Sequence, residues 1–301
     1  MAEVIEQLKK YTETHGSEGL IRLSELYVTP SACKYEPECA EFMKISACQN
    51  VYSVAKTFTM TALGLLYDRG LLSPDEKVCD ILRESGVRLP ADMDRRWESV
   101  TVDLALSHSI GLPGGFLDID VNPAGAFGED FLGYMLSHPM SYTPGEKSVY
   151  TDGAFYLLAR VAEAKIPVKQ GSPGGMDSFL WSELMYPLGC REMAWSRCPM
   201  GHVIGATGLY IHTDDMARLG ALFCKAPFEC TNGKPLLSRE WTSLAIERGY
   251  ALDWDKSGRF FSKGGMYGQQ LIMVPSQNRV VALQSFGGSW ANVVREIILG
   301  I

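Results

Sequence analysis

A chain of 301 residues can bury a substantial core, and its 46% hydrophobic and 21% charged content is that of a globular protein, which excludes disorder and fibre. Its 28 basic against 35 acidic residues leave a net charge of −7, so there is no electrostatic footprint for a nucleic-acid backbone, and an anionic membrane surface is a poor partner. No apolar stretch approaches the roughly 18 residues that a membrane-spanning helix needs.

In chain order, the first segment (MAEVIEQLKKYTETHG) reads as an amphipathic helix of mixed charge. It lacks the layout of an export signal, which predicts a cytoplasmic, reducing location. Strands are expected over Leu20–Val28 and Glu41–Ala47. Ser53–Asp68 (SVAKTFTMTALGLLYD) is apolar nearly all round, the mark of a buried central helix, and it stops at Gly70. From about 53 to 245 the chain reads mostly as helices and loops, with a surface loop at Gly171–Gly175. A helix over Asp152–Ala164 follows the Pro144-Gly145 turn. Late strands are expected at Tyr250–Trp254, Arg259–Gly264, Gln269–Val274 and Arg279–Phe286, joined by the polar turns DKSG and PSQN. Strands at both ends with helices between them predict an α+β fold, an antiparallel sheet built from both chain ends with an inserted helical domain.

The eight cysteines, at 33, 39, 48, 79, 190, 198, 224 and 230, form no CxxC pair and are expected to be reduced, several of them in the core. The five histidines (15, 108, 138, 202, 212) stand at no ligand spacing from them, which predicts no zinc site. His108 reads as a satisfied buried histidine, and Trp181, Trp195, Trp254 and Trp290 as core or cleft wall.

There is no G-x-S-x-G, H-E-x-x-H or G-x-x-x-x-G-K-[ST] motif, which disfavours the α/β-hydrolase, zincin and P-loop chemistries. S-x-x-K occurs twice, where about one match is expected by chance at this composition. Ser31–Lys34 lies in a polar stretch without helical periodicity and reads as chance. Ser53–Lys56 opens the buried helix, where residues three apart share a face and the helix N-terminus favours an oxyanion. Ser53 is also a competent N-cap, and Lys56 alone would be an ordinary surface charge but for its apolar neighbours. Tyr150-Thr151-Asp152 precedes the second helix, so Tyr150 is a candidate base; the plainer reading is a core tyrosine with Asp152 as N-cap. Lys263-Gly264-Gly265, followed by Met266, combines a cation with small residues that let a substrate backbone approach. Lys169–Gly171 and Lys256–Gly258 are rivals for this third motif. Lys263 is preferred because FFSKGG continues a strand, whereas DKSG is a hairpin turn.

These three elements, in this order, resemble the serine β-lactamase and penicillin-binding-protein superfamily, and most of all its class C β-lactamase-related branch of esterases, D-amino-acid peptidases and 6-aminohexanoate-dimer hydrolases. VYSVAKTFTMTALGLLYDRGLLSPDEKV is similar to the family's nucleophile helix. VTVDLALSHSIGLP, TGLYIHTDDMARLGALF and GMYGQQLIMVPSQNRVVAL are similar to later family segments, so that the likeness runs almost unbroken from 51 to 286. The resemblance implies a sheet domain of residues 1–70 and 200–301, a helical domain of 71–199, and a site between them. It implies Ser53 as the acylated nucleophile, Lys56 as its proton-transfer partner and Tyr150 as second member of the base. Asp152, Lys263, Gly264, Gly265 and Met266 would then bind substrate, with the Ser53 and Met266 N–H groups as oxyanion hole. No metal or organic cofactor is implied.

Asp152 stands where the family usually has asparagine, which predicts a more stable Lys56 ammonium, a larger share of the base role for Tyr150, and poor tolerance of anionic substrates. Gly264 stands where the family has a hydroxyl. The expected function is a serine hydrolase acting on a small-molecule ester, amide or peptide, with β-lactams and D-amino-acid peptides among the candidates. The alternatives are a β-lactamase or DD-peptidase proper, or a non-catalytic ligand-sensing protein of the same fold. Oligomeric state is left open.

Overall fold

The computed structural model describes residues 3–28, 36–46, 48–123, 125–167, 175–224, 235–287 and 289–300. The Ser31–Lys34 and Lys169–Gly171 motifs, and most of the Gly171–Gly175 loop, lie outside them. In chain order, α1 (Glu3–His15), β1 (Leu20–Tyr27), β2 (Glu38–Glu41) and β3 (Cys48–Asn50) lead to a single 3-10 turn at Tyr52–Val54, which runs straight into α2 (Ala55–Tyr67). Helices α3 (Val78–Glu84), α4 (Val102–Leu106), α5 (Phe131–Ser137), α6 (Asp152–Lys165) and α7 (Met176–Leu180) follow. Then come β4 (Met193–Trp195), β5 (Leu209–His212), α8 (Thr213–Ala221) and α9 (Arg239–Arg248). The chain closes with β6 (Asp253–Trp254), β7 (Phe261–Gly264), β8 (Gln270–Val274), β9 (Arg279–Ser285) and α10 (Trp290–Leu299).

Contacts divide the chain into two compact units. The first holds residues 1–54, 181–194 and 209–301 and contains a six-stranded antiparallel sheet in the order β2-β1-β9-β8-β7-β6. Strand alternation explains its two faces. Leu23, Ile272, Val281 and Leu283 pack with Val4, Ile5 and Leu8 of α1 and with Val293, Val294 and Ile298 of α10. On the opposite face, a side chain at Gly220 of α8 would stand 2.6 Å from Val280 and 2.9 Å from Leu271, so glycine there sets how closely the helix approaches the sheet. Buried Glu25 of β1 accepts hydrogen bonds from the Val4 and Ile5 N–H groups (3.0 and 3.2 Å), satisfying first-turn donors of α1 and tying it to the sheet. A second, three-stranded sheet has the order β3-β5-β4.

The second unit, residues 55–180 and 195–208, is helical. Every residue of α2 except Tyr67 is buried, and α2 packs on α6 and α7 while α3 and α4 pack on α6. The sequence expectation sets the boundary at residue 70. The contacts instead group α2 with the helices, because its apolar surface is covered by α6 and α7. No described helix is long and apolar enough to cross a membrane.

The α+β architecture, with a sheet from both chain ends, is as the sequence implied. Local differences have local causes. The strand expected over Glu41–Ala47 is β2, ending at Glu41, because the Phe42 and Met43 N–H groups both turn onto Ile21 O (2.9 and 3.3 Å) and the ladder stops. Two strands, β4 and β5, lie in the stretch read as helices and loops; at three and four residues they are too short to show a period of two. Of the cysteines, the described Cys39, Cys48, Cys79, Cys190, Cys198 and Cys224 are free thiols, the last four buried.

Candidate active site

Lys56 sits one residue into α2 and is fully buried. Its Nζ donates to Asp152 Oδ1 at 2.6 Å and to Ala206 O at 2.9 Å, and it lies 4.8 Å from the centre of the Tyr150 ring. Each partner has a local origin. Thr151 is the N-cap of α6, its hydroxyl accepting from Gly153 N at 3.2 Å and donating to Phe116 O at 2.7 Å. Asp152 is therefore the first helical residue and not the cap, and its carboxylate is left for Lys56. Ala206 O is presented by a segment pressed onto the helices. Thr59 of α2 donates to Gly205 O at 2.7 Å, and a side chain at Gly205 (φ +69°) would stand 2.6 Å from Ala159 and 2.7 Å from Phe155 O.

Two further carboxylates belong to this cluster. Asp118 and Asp120, in the loop after Gly115, bring ligand oxygens within 4.8 Å of one another and of Asp152. Thr207 donates to Asp120 Oδ2 at 2.6 Å. Burial pushes the Asp120 carboxyl above its ordinary range, and the Asp152 and Asp118 charges add to this, with Thr207 and Lys56 opposing. Burial lowers the Lys56 amine below the ordinary lysine value, while Asp152, and at longer range Asp120 and Asp118, pull it back up. The aspartate pair is absent from the motif-based reading. Its only sequence trace is the D-x-D spacing in FLDID, and nothing in a single sequence brings that loop to Lys56.

His108, in the left-handed region at φ +56°, is half-buried. Its Nδ1 accepts from Thr151 N at 3.4 Å, and its ring packs 4.7 Å from Tyr150 and 5.0 Å from Phe155. It thus braces the α6 cap and the Tyr150 ring. Tyr150 itself is 46% exposed.

The other sequence-indicated residues lie in the sheet unit. Ser53 is half-buried on the 3-10 turn, three positions before Lys56 in the chain. Tyr52, at φ +49°, has its N–H bound by Asn50 Oδ1 at 2.8 Å and its ring 5.0 Å from that of Tyr267. This turn packs against the end of β7. Lys263 on β7 is buried, with Nζ 3.6 Å from exposed Asp253, whereas Lys256 is exposed in the β6–β7 turn. Met266 is 44% exposed just beyond the strand.

The two glycines after Lys263 are unlike. A side chain at Gly265 would stand 2.8 Å from Val51 O and 2.6 Å from Gln269 Oε1, whereas one at Gly264 would meet only the Gln270 amide, at 2.6 Å. The first obstacle includes fixed backbone; the second is the end of a movable side chain. Gly265→Ala is therefore expected to cost ~1–3 kcal/mol in urea unfolding and to displace the Ser53 turn, with Gly264→Ala costing less. Equal costs for the two would contradict this account of the close approach.

A family profile described as Beta-lactamase matches residues 47–295. No curated protein matches the sequence. Among solved structures, the chain is similar to a Bacillus anthracis protein assigned as a 6-aminohexanoate-dimer hydrolase (TM-score 0.74, 14% identity, 97% of this chain and 80% of that one). It is also similar to a penicillin binding protein from Bacillus halodurans (TM-score 0.69, 18% identity, 97% and 98%). A D-stereospecific amidohydrolase from Streptomyces sp. gives a TM-score of 0.67 at 15% identity over 100% and 99% of the two chains. At these identities the likeness is one of fold.

Proposed function

Since the chain belongs to the beta-lactamase family and is on that ground a hydrolase, we propose that it cleaves a small-molecule ester or amide through an acyl intermediate on Ser53. The observation that carries the reading is Lys56: a lysine with no exposed surface, held by Asp152 and Ala206 O, three residues after a serine on a helix-opening turn. A buried ammonium costs too much to be retained as a mere surface charge, and its depressed amine is suited to exchanging a proton with a hydroxyl.

In the first step Ser53 Oγ bonds to the acyl carbon while its proton passes to the Lys56–Tyr150 pair. The tetrahedral oxyanion is held by the Ser53 and Met266 N–H groups, and collapse expels the alcohol or amine, which takes up a proton. Water then attacks the acyl-Ser53 ester, and the acid leaves with Ser53 restored. Lys263 and Gly264-Gly265 orient the substrate. Three carboxylates, Asp118, Asp120 and Asp152, cluster beside the Lys56 amine. They favour neutral acyl substrates over those bearing a carboxylate, and thus an ester or amide over a penicillin.

The test is labelling with a fluorophosphonate together with turnover of a short-chain p-nitrophenyl ester. The wild-type protein is expected to be labelled on the Ser53 peptide and to turn over the ester, and Ser53→Ala to do neither. Equal labelling of Ser53→Ala would sink the assignment. Stabilisation by amides without any turnover would favour a ligand sensor.

A further inference from the structure

Cys48 and His212 are 164 residues apart in sequence, a separation at which no ligand spacing can be read. In the three-stranded sheet they are direct cross-strand partners of β3 and β5, so their side chains emerge on the same face. Glu192 immediately precedes β4, the strand on the other side of β5, and its Oε1 lies 2.8 Å from His212 Nε2. One donor atom from each of Cys48, Glu192 and His212 falls within 4.8 Å of the others. Zinc bond lengths of about 2.3 Å to sulfur and about 2.0–2.1 Å to nitrogen and oxygen put tetrahedral donors about 3.5 Å apart, a spacing that falls inside the 4.8 Å limit these donors meet.

His212 is 9% exposed, and Nε2 is the ring nitrogen that faces Glu192 and would be offered to an ion. Asp215 is engaged by Arg218 at 2.5 Å, which leaves Glu192, with 61% of its side chain exposed, as the carboxylate available to an ion beside His212.

We propose that Cys48, Glu192 and His212 form a binding site for Zn²⁺, with a water in the fourth position. Binding converts the Cys48 thiol to a thiolate and releases its proton to solvent, and the thiolate and carboxylate charges together neutralise the ion. β3 continues directly through Val51 into the Tyr52–Val54 turn, so the ion would pin β3 to β5 just ahead of Ser53.

The test uses the untagged chain, stripped of metal by a chelator that is then removed. Calorimetric titration with Zn²⁺ is expected to show one site. Co²⁺ in its place is expected to give a near-ultraviolet thiolate-to-cobalt charge-transfer band, which an ion bound at Asp118, Asp120 and Asp152 would lack. Cys48→Ser is expected to abolish that band and weaken Zn²⁺ binding by at least about 100-fold, since losing even a ligand's supporting partner costs about 10–100-fold. Glu192→Gln, on an exposed side chain, is expected to weaken binding with the far-ultraviolet circular dichroism unchanged. No uptake of Zn²⁺, or uptake that both variants leave unaltered, would overturn the proposal.

Discussion

Lys56→Met is expected to lower kcat/KM for an activated ester by about 10³-fold, and at the same time to destabilise the fold by ~3–5 kcal/mol. The two losses have different origins. The first is removal of the group that exchanges a proton with Ser53. The second arises because Asp152, 6% exposed, is left as a buried carboxylate facing a thioether, with Asp120 and Asp118 close by. A companion variant separates them. Lys56→Met combined with Asp152→Asn removes both charges, and is expected to regain much of the stability in urea unfolding while regaining no turnover. Ester hydrolysis by a folded double variant at the wild-type rate would show that Lys56 serves only the core.

Asp152→Asn alone is the sharper test of how protons move. In the wild-type protein burial lowers the Lys56 amine and the Asp152 carboxylate raises it again. An amide cannot do the second, so in the variant the amine gives up its proton at lower pH. If the free amine accepts the Ser53 proton, activity on the acidic side is limited by the ammonium fraction. The acidic limb of the kcat/KM profile is then expected to move to lower pH in Asp152→Asn, with activity gained there. The neutral amine keeps its acceptor at Ala206 O and gains an amide partner, so the cost in stability is expected to be smaller than for Lys56→Met. An acidic limb that does not move would hand the base role to Tyr150.

The parts of this protein that are legible in its sequence are those written in local pattern. Strands β7, β8 and β9 show in their apolar runs and polar turns, and α2 in a stretch of thirteen residues with one charge. The charged partners of that lysine are legible only unevenly. Asp152 carries a motif, because it directly follows the residue that caps α6. Asp118 and Asp120 carry none, since they reach Lys56 from an irregular loop whose path is set by tertiary packing. Ala206 is invisible for another reason: it contributes a backbone carbonyl, which any residue type could supply, and the signal is displaced to Gly205, whose lack of a side chain permits the approach. The Cys48–His212 pairing is of the same kind, a juxtaposition created by strand register and not by spacing.

The pairing of β1 with β9 has a consequence for how the protein is made. β1 ends at Tyr27 and its principal partner begins only at Arg279, so during synthesis the strand waits until the chain between them has been made. At about 5–20 residues per second that wait is on the order of 10–50 s. Throughout it the helical stretch between residues 55 and 180, whose contacts are nearer in sequence, can already be assembling, while LIRLSELY stands with an unfilled hydrogen-bonding edge. Arg22 and Glu25 are charged side chains that would have to be desolvated if that strand were buried against a neighbouring nascent copy, which raises the cost of such pairing before its own last strand arrives.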